Sequence, residues 1–179
     1  MKKKLAIVLV ACACIGLLSA CGGSTEKKVS DGSSSSSNTS SESSTTSNGY
    51  AFEAGGAKLV IDSEFDQYKS ALGEETSCYE APSCAFGDLD KIWTYSGFEV
   101  NTYQVDGVDY ISTVVLKDDT VSTPEGVSIG DSADDVIAKY GEASTQDASQ
   151  IVYEKDSMKL IFMLSSDAVS QIQYKTTKF

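Results

Sequence analysis

The amino-acid sequence predicts an α+β domain in which two tandem α-β-β-β units form one antiparallel sheet with both helices on one face. Three observations lead there. The stretch LVIDSEFDQYKSALGE at residues 59–74 returns in role as VSIGDSADDVIAKYGE at 127–142. Each stretch is followed by three runs of strand character separated by short polar turns. Finally, three strands and one short helix bury too little surface to be secure alone, so two such units are expected to share a core.

The chain opens with Lys2, Lys3 and Lys4, an apolar run over 5–18 and small residues ending at Cys21, the order of an export signal. The run is shorter than the roughly 20 apolar residues of a membrane-spanning helix. Leu18-Ser19-Ala20-Cys21 resembles the lipobox of bacterial lipoproteins. The resemblance implies that residues 1–20 are a signal peptide, that Cys21 receives a diacylglycerol, and that the mature chain starts there. Cys12 and Cys14 then belong to the discarded segment. Two or three acyl chains on Cys21 hold a protein to a membrane stably, at about 0.8 kcal/mol per buried methylene.

Residues 21–49 follow as a tether dominated by Ser, Thr, Asn and Gly, which cannot bury enough surface to offset its ordering entropy. A flexible coil of about 28 residues spans roughly 30 Å. The length of this stalk, and Gly22 after the lipidated position, point to a single-membrane (Gram-positive) bacterium. The domain is therefore expected on the extracytoplasmic face of the cell membrane.

The globular domain is expected over 50–179, with repeats at about 57–119 and 125–179. Aligning Gly73 with Gly141, a shift of 68 residues, brings Ile61 to Ile129, Ser63 to Asp131, Asp66 to Asp134 and Tyr68 to Val136. Ser63 or Asp131 is placed to accept from free amides at a helix start, with Asp66 or Asp134 adding negative charge there. Phe65, Tyr68 and Leu72 make one apolar stripe, and Ala133, Val136, Ile137 and Tyr140 the other. Gly73 and Gly141 supply the stops. Strands are then expected at 91–95, 98–104 and 109–117, and again at 150–154, 158–164 and 169–175.

Tandem helix-strand-strand-strand units in an exported chain, with Ile-Gly-Asp-Ser-x-x-Asp-Val-x-x-x-Tyr-Gly at 129–141, resemble the beta-lactamase inhibitor protein fold and its single-unit relatives among small outer-membrane assembly lipoproteins. The topology is similar over about 59–179, the motif only over 129–141. The resemblance implies a binding or scaffolding role through the open sheet face or its loops. No inhibitory residue carries over by position.

The whole chain has a formal charge of -12, and loss of residues 1–20 makes it -15. Such a surface repels nucleic acid and anionic headgroups, and the chain has neither Arg nor His. Nucleic acid is therefore excluded as a partner. No His is present to serve a Ser or Cys nucleophile, and no G-x-S-x-G elbow or Gly-rich phosphate cradle occurs. The acids do not match a Ca²⁺-loop spacing, and nothing calls for a metal or cofactor.

Cys78 and Cys84, with five residues including Pro82 between them, are expected to close a small disulfide loop; a redox pair lacks both the C-x-x-C spacing and an activating base. The candidate binding face comprises Trp93, Tyr95 and Tyr103 with Ile161, Met163, Gln171 and Gln173. Aromatic and aliphatic residues of this kind anchor protein interfaces, although they equally complete cores. The expected function is a lipid-anchored, non-catalytic module that binds a protein or an envelope component. Two alternatives stay open: a structural envelope lipoprotein without a dedicated ligand, and a small wall hydrolase built on paired carboxylates.

Overall fold

The computed structural model describes residues 49–84 and 88–179. The expected signal peptide, Cys21 and all of the tether but Gly49 lie outside the described residues. The chain first makes a hairpin of β1 (Phe52–Ala54) and β2 (Ala57–Leu59), and then α1 (Asp66–Leu72). A four-strand meander follows: β3 (Ser77–Pro82), β4 (Leu89–Thr94), β5 (Phe98–Val105) and β6 (Val108–Leu116). After α2 (Ala133–Tyr140) comes a second meander of β7 (Thr145–Gln146), β8 (Gln150–Lys155), β9 (Met158–Ser165) and β10 (Ala168–Thr176).

The two meanders meet last strand to last strand in one antiparallel sheet ordered β3-β4-β5-β6-β10-β9-β8-β7. At the seam, Val114 pairs with Tyr174 and Leu116 with Ile172. Period-two alternation fixes the faces. Trp93, Val100, Val114, Tyr174, Leu160 and Tyr153 line up across six strands and point inward, where all are buried.

The expected α+β class, with two α-β-β-β units and helices covering one face, is corrected: the described residues are mostly strand, in an eight-stranded antiparallel sheet and a two-stranded hairpin. The helices have only seven and eight residues; α1 buries none of its own, and α2 buries only Ala133 and Val136. Two turns of helix offer too short a stripe to cover such a sheet. Most of the cover comes from Phe52 and Leu59 of the first hairpin, with Ile61, Phe65 and Val127 from the segments leading to the helices. Gly55 fits that hairpin against α1: a Cβ there would collide with the Ala71 carbonyl oxygen.

The caps differ from expectation, by two residues at α1 and by one at α2. Ser132, not Asp131, caps α2 in a reciprocal box with Asp135, while Asp131 accepts from the Ser128 amide at 2.9 Å. At α1 the N-cap position is Phe65, without a side-chain cap, and Ser63 instead donates to the Val60 carbonyl at 2.6 Å. Gly73 and Gly141 do end the helices, with φ of +77° and +79°. Each lead-in segment also forms a β-bridge with the first part of its meander's last strand, Glu64 to Tyr110 and Ser132 to Ala168.

Candidate binding face

Register decides which predicted side chains reach the open face. Trp93 pairs with Val100, so it points inward; it is buried, donates from Nε1 to Thr102 Oγ1 at 3.2 Å, and carries Lys69 Nζ 4.1 Å from its ring centroid. Tyr95 is buried as well, stacked on Phe98 at 5.1 Å. Both therefore leave the candidate face. The sequence 91–95 alternates acceptably in either sense, and only the partner strand selects one.

The other five candidates lie on the outer face. Met163 pairs with Gln171 and Ile161 with Gln173 on adjacent strands. Gln173 Nε2 donates to Gln171 Oε1 at 2.5 Å and approaches Met163 Sδ at 3.7 Å. Tyr103 is turned outward but buried, with Tyr110 stacked at 5.7 Å and Phe179 edge-on at 5.5 Å. Burial raises its phenol above the ordinary tyrosine range, outweighing the nearby Lys178.

Sequence reasoning missed Tyr79, Ile92, Val105 and Val108, which also point outward. Together with Met163 and Phe179 they are the exposed large hydrophobics of the described residues. The missed signal was the strand pattern across Asp106-Gly107, which sends Val105 and Val108 to the same face.

Charge is distributed unevenly. From Gly49 onward the chain has 23 acids and 9 lysines. On the outer face, however, Asp90, Glu99 and Glu154 stand against Lys117, Lys159 and Lys175. Lys117 pairs with Glu99 at 3.2 Å and Lys159 with Glu154 at 2.8 Å. The outer face is thus balanced, while the excess acid lies elsewhere on the domain.

Two polar networks brace the region around Tyr103. Asp62, at φ +66°, accepts from Thr176 Oγ1 at 2.9 Å and Tyr103 OH at 3.1 Å, and pairs with Lys178 at 3.2 Å. On the inner side Lys91 bridges Asp109 at 2.9 Å and Glu80 at 3.6 Å. Burial pulls the Lys91 ammonium down, but Asp109 and then Glu80 outweigh it and leave it above the ordinary lysine range. Between Ile92, Asn101, Ser112 and Phe179 the outer face has a half-open hollow of about 310 Å³.

The expected disulfide is corrected. Cys78 and Cys84 are both free and exposed. Cys78 lies on β3 and Cys84 just past its end. A strand rises about 3.3 Å per residue, so extended chain holds the pair farther apart than the roughly 7 Å Cα limit for bridging. Burial, followed by the charge of Glu80, raises the Cys78 thiol above its ordinary range.

Among the described residues no group of three or more His, Cys, Asp or Glu is placed to hold a metal ion. No helix among them is long and apolar enough to cross a membrane. No protein-family model matches the chain, and no curated protein matches it. Among solved structures, an extracellular protein containing a SCP domain from Bacillus anthracis str. Ames is similar at 15% identity with a TM-score of 0.38. That alignment covers 65% of this chain and 44% of the Bacillus protein.

Proposed function

We propose that the protein is an extracytoplasmic lipoprotein, anchored through Cys21, whose domain binds another protein through the outer face of its eight-stranded sheet. One observation carries the reading. The exposed large hydrophobics of the described residues all lie on or against that face, which is also charge-balanced on an otherwise strongly acidic domain. Exposed apolar side chains gathered on one side mark interaction surfaces, and a neutral patch spares a docking protein the repulsion or non-specific attraction of the acidic remainder. The lipobox-like sequence at 18–21 supports the anchor, and the Ser-rich segment supports a tether that gives the face reach.

The test compares affinity capture from detergent-solubilised envelopes by the full chain and by the triple variant Tyr79→Ser, Ile92→Ser, Met163→Ser. A control variant carries Asp66→Ser and Asp134→Ser, both exposed and both in the first turns of the helices rather than on the face strands. The reading expects one stoichiometric protein retained by wild type and control and lost by the triple variant. Equal retention by all three removes the outer face from the proposal. Anchoring is tested separately, by globomycin-sensitive processing and metabolic acylation in a bacterial host, both abolished by Cys21→Ala.

A further inference from the structure

The two meanders differ at the sheet edges. β7 has two residues, whereas β3, in the corresponding place of the first meander, has six and pairs only with β4 among the described residues. Alternation assigns its backbone groups. The Ser83 amide donates to the Asp88 carbonyl at 2.7 Å, and across β4 the Tyr95 amide donates to the Phe98 carbonyl at 2.9 Å. Counted along the registers from both bonds, the amides of Tyr79 and Ala81 face β4. Those of Cys78 and Glu80 face the open edge, with the carbonyls of Cys78, Glu80 and Pro82. Pro82, which has no amide to give, falls in the edge-facing set and so costs the sheet no bond. An edge with donors and acceptors in register is a template for one more strand.

Side chains and charge define that strand. Cys78 is opposite the inward-pointing Trp93, so Cys78 and Glu80 stand on the inner side; both are exposed, because the cover over the core stops short of β3. Tyr79, opposite Ile92, stands on the outer side and is 65% exposed. From Glu74 to Asp90 the sequence holds five acids, Glu74, Glu75, Glu80, Asp88 and Asp90, and no lysine. All five are exposed. Of the nearby lysines, Lys91 is engaged by Asp109 and Glu80, and Lys69 by Asp66. A second copy of β3 brought against the first would set one such row of acids against another, which opposes self-pairing.

We propose that β3 is the docking edge for an extended cationic segment of the partner protein, which adds antiparallel as a further strand with lysine or arginine on its inner side and β-branched residues on its outer side. Cationic residues opposite Cys78 and Glu80 exchange backbone bonds with them in the field of the acids, while the residue opposite Tyr79 extends the outer apolar face beside Ile92. The inference rests on the protein-binding reading for the source of the segment, but the edge's preference is testable without a partner.

The ¹⁵N-labelled full chain, in micelles of an uncharged detergent, is titrated with Ac-Val-Lys-Val-Lys-Val-NH2 and with its counterpart carrying Glu for Lys, and amide exchange is followed by NMR. Expected are saturable binding of the lysine peptide with a Kd on the order of 1 mM, and binding about tenfold weaker for the glutamate peptide. Exchange should slow at Cys78 and Glu80 when the lysine peptide binds. N-methylation of both lysines removes the amides that face β3 and is expected to abolish binding, whereas N-methylation of the central valine, whose amide faces away, leaves it within about twofold. Glu80→Lys should reduce or reverse the preference between the two peptides. No saturable binding, equal binding of both peptides, equal losses from the two N-methylations, or protection confined to residues outside β3 overturns the inference. So does protection of Cys78 and Glu80 that rises with protein concentration without peptide, which assigns the edge to a second copy. Peptide addition at β3 together with failed partner capture upholds the edge and removes the protein-binding reading. Capture lost in the triple variant, without peptide addition at β3, does the reverse.

Discussion

Replacing Asp62 by Ala is expected to cost about 3 kcal/mol, and each part of that figure has a source in the structure. The hydroxyl of Thr176, a residue 1% exposed, loses its acceptor, which costs about 1–2 kcal/mol. The Tyr103 hydroxyl loses a partly buried partner, for roughly another 0.5–1 kcal/mol. Lys178 is half-exposed, so its ion pair adds only a few tenths, about 0.3 kcal/mol. Alanine at a φ of +66° adds about 1 kcal/mol of left-handed strain, which Asp tolerates through local hydrogen bonding. Asp62→Asn keeps an acceptor and that backbone tolerance, and is expected to cost about 1 kcal/mol. The assay is urea unfolding followed by the fluorescence of Trp93, the single tryptophan, which is buried beside Phe65. With a urea m-value of roughly 1.5 kcal/mol/M, the Ala variant should unfold about 2 M earlier than wild type. A loss below about 1 kcal/mol, or equal losses for Ala and Asn, refutes the view that Asp62 ties the lead-in segment, β5 and the last residues together.

Further expectations concern burial, protonation and thiols. Trp93→Ala should cost about 3–5 kcal/mol, whereas Ile92→Ser, one residue away on the opposite face, should cost about 1 kcal/mol or less; similar losses would contradict the register of β4. Lys91, Tyr140 and Tyr174 hold their protons more tightly folded than unfolded, Lys91 because its acids outweigh burial and the tyrosines chiefly through burial. Their contribution is therefore complete below the unfolded values of 10.0 and 10.5 and is lost as pH rises beyond them. The urea midpoint should accordingly fall above about pH 10, and absorbance at 295 nm should show Tyr140 and Tyr174 ionising only as the chain unfolds; a midpoint unchanged to pH 12 would contradict this. Iodoacetamide labelling with peptide mass analysis should modify both Cys78 and Cys84 in the native protein under reducing-agent-free conditions, Cys78 the more slowly; recovery as a linked peptide pair would restore the disulfide.

Much of the sheet is legible in the sequence because half-buried strands alternate. Met158, Leu160 and Phe162 against Lys159, Ile161 and Met163 read directly, and the segments assigned to β5, β6, β8, β9 and β10 are strands in the structure. β3 is not legible in the sequence, because an edge strand with five of its six residues exposed has no buried set to alternate with. The sequence pattern overstates helix for a related reason: the stripe of Phe65, Tyr68 and Leu72 is apolar, but Phe65 precedes the helix and packs from the lead-in instead. Of the candidate site, Ile161, Met163, Gln171 and Gln173 followed from alternation within one strand. Trp93 and Tyr95 did not, because their side is set by pairing with β5, a relation between strands that one strand's composition does not encode. The hollow beside Asn101 was invisible for the same reason, since a shift of register has no residue signature of its own.

The seam between the meanders carries a kinetic consequence. Most neighbouring strands of the sheet are joined by connections of a few residues, so their pairing closes loops of low entropic cost. β6 and β10 are the exception: a long stretch of chain, including α2 and the first three strands of the second meander, separates them, and they pair over four residues against eight for β5 with β6 and for β9 with β10. The rate of reaching the native state is therefore governed by one late, non-local encounter whose reward is small until Val114, Leu116, Ile172 and Tyr174 interlock. Until then each half exposes its last strand, and wherever many copies are crowded together that strand meets the matching strand of a neighbour as readily as its own.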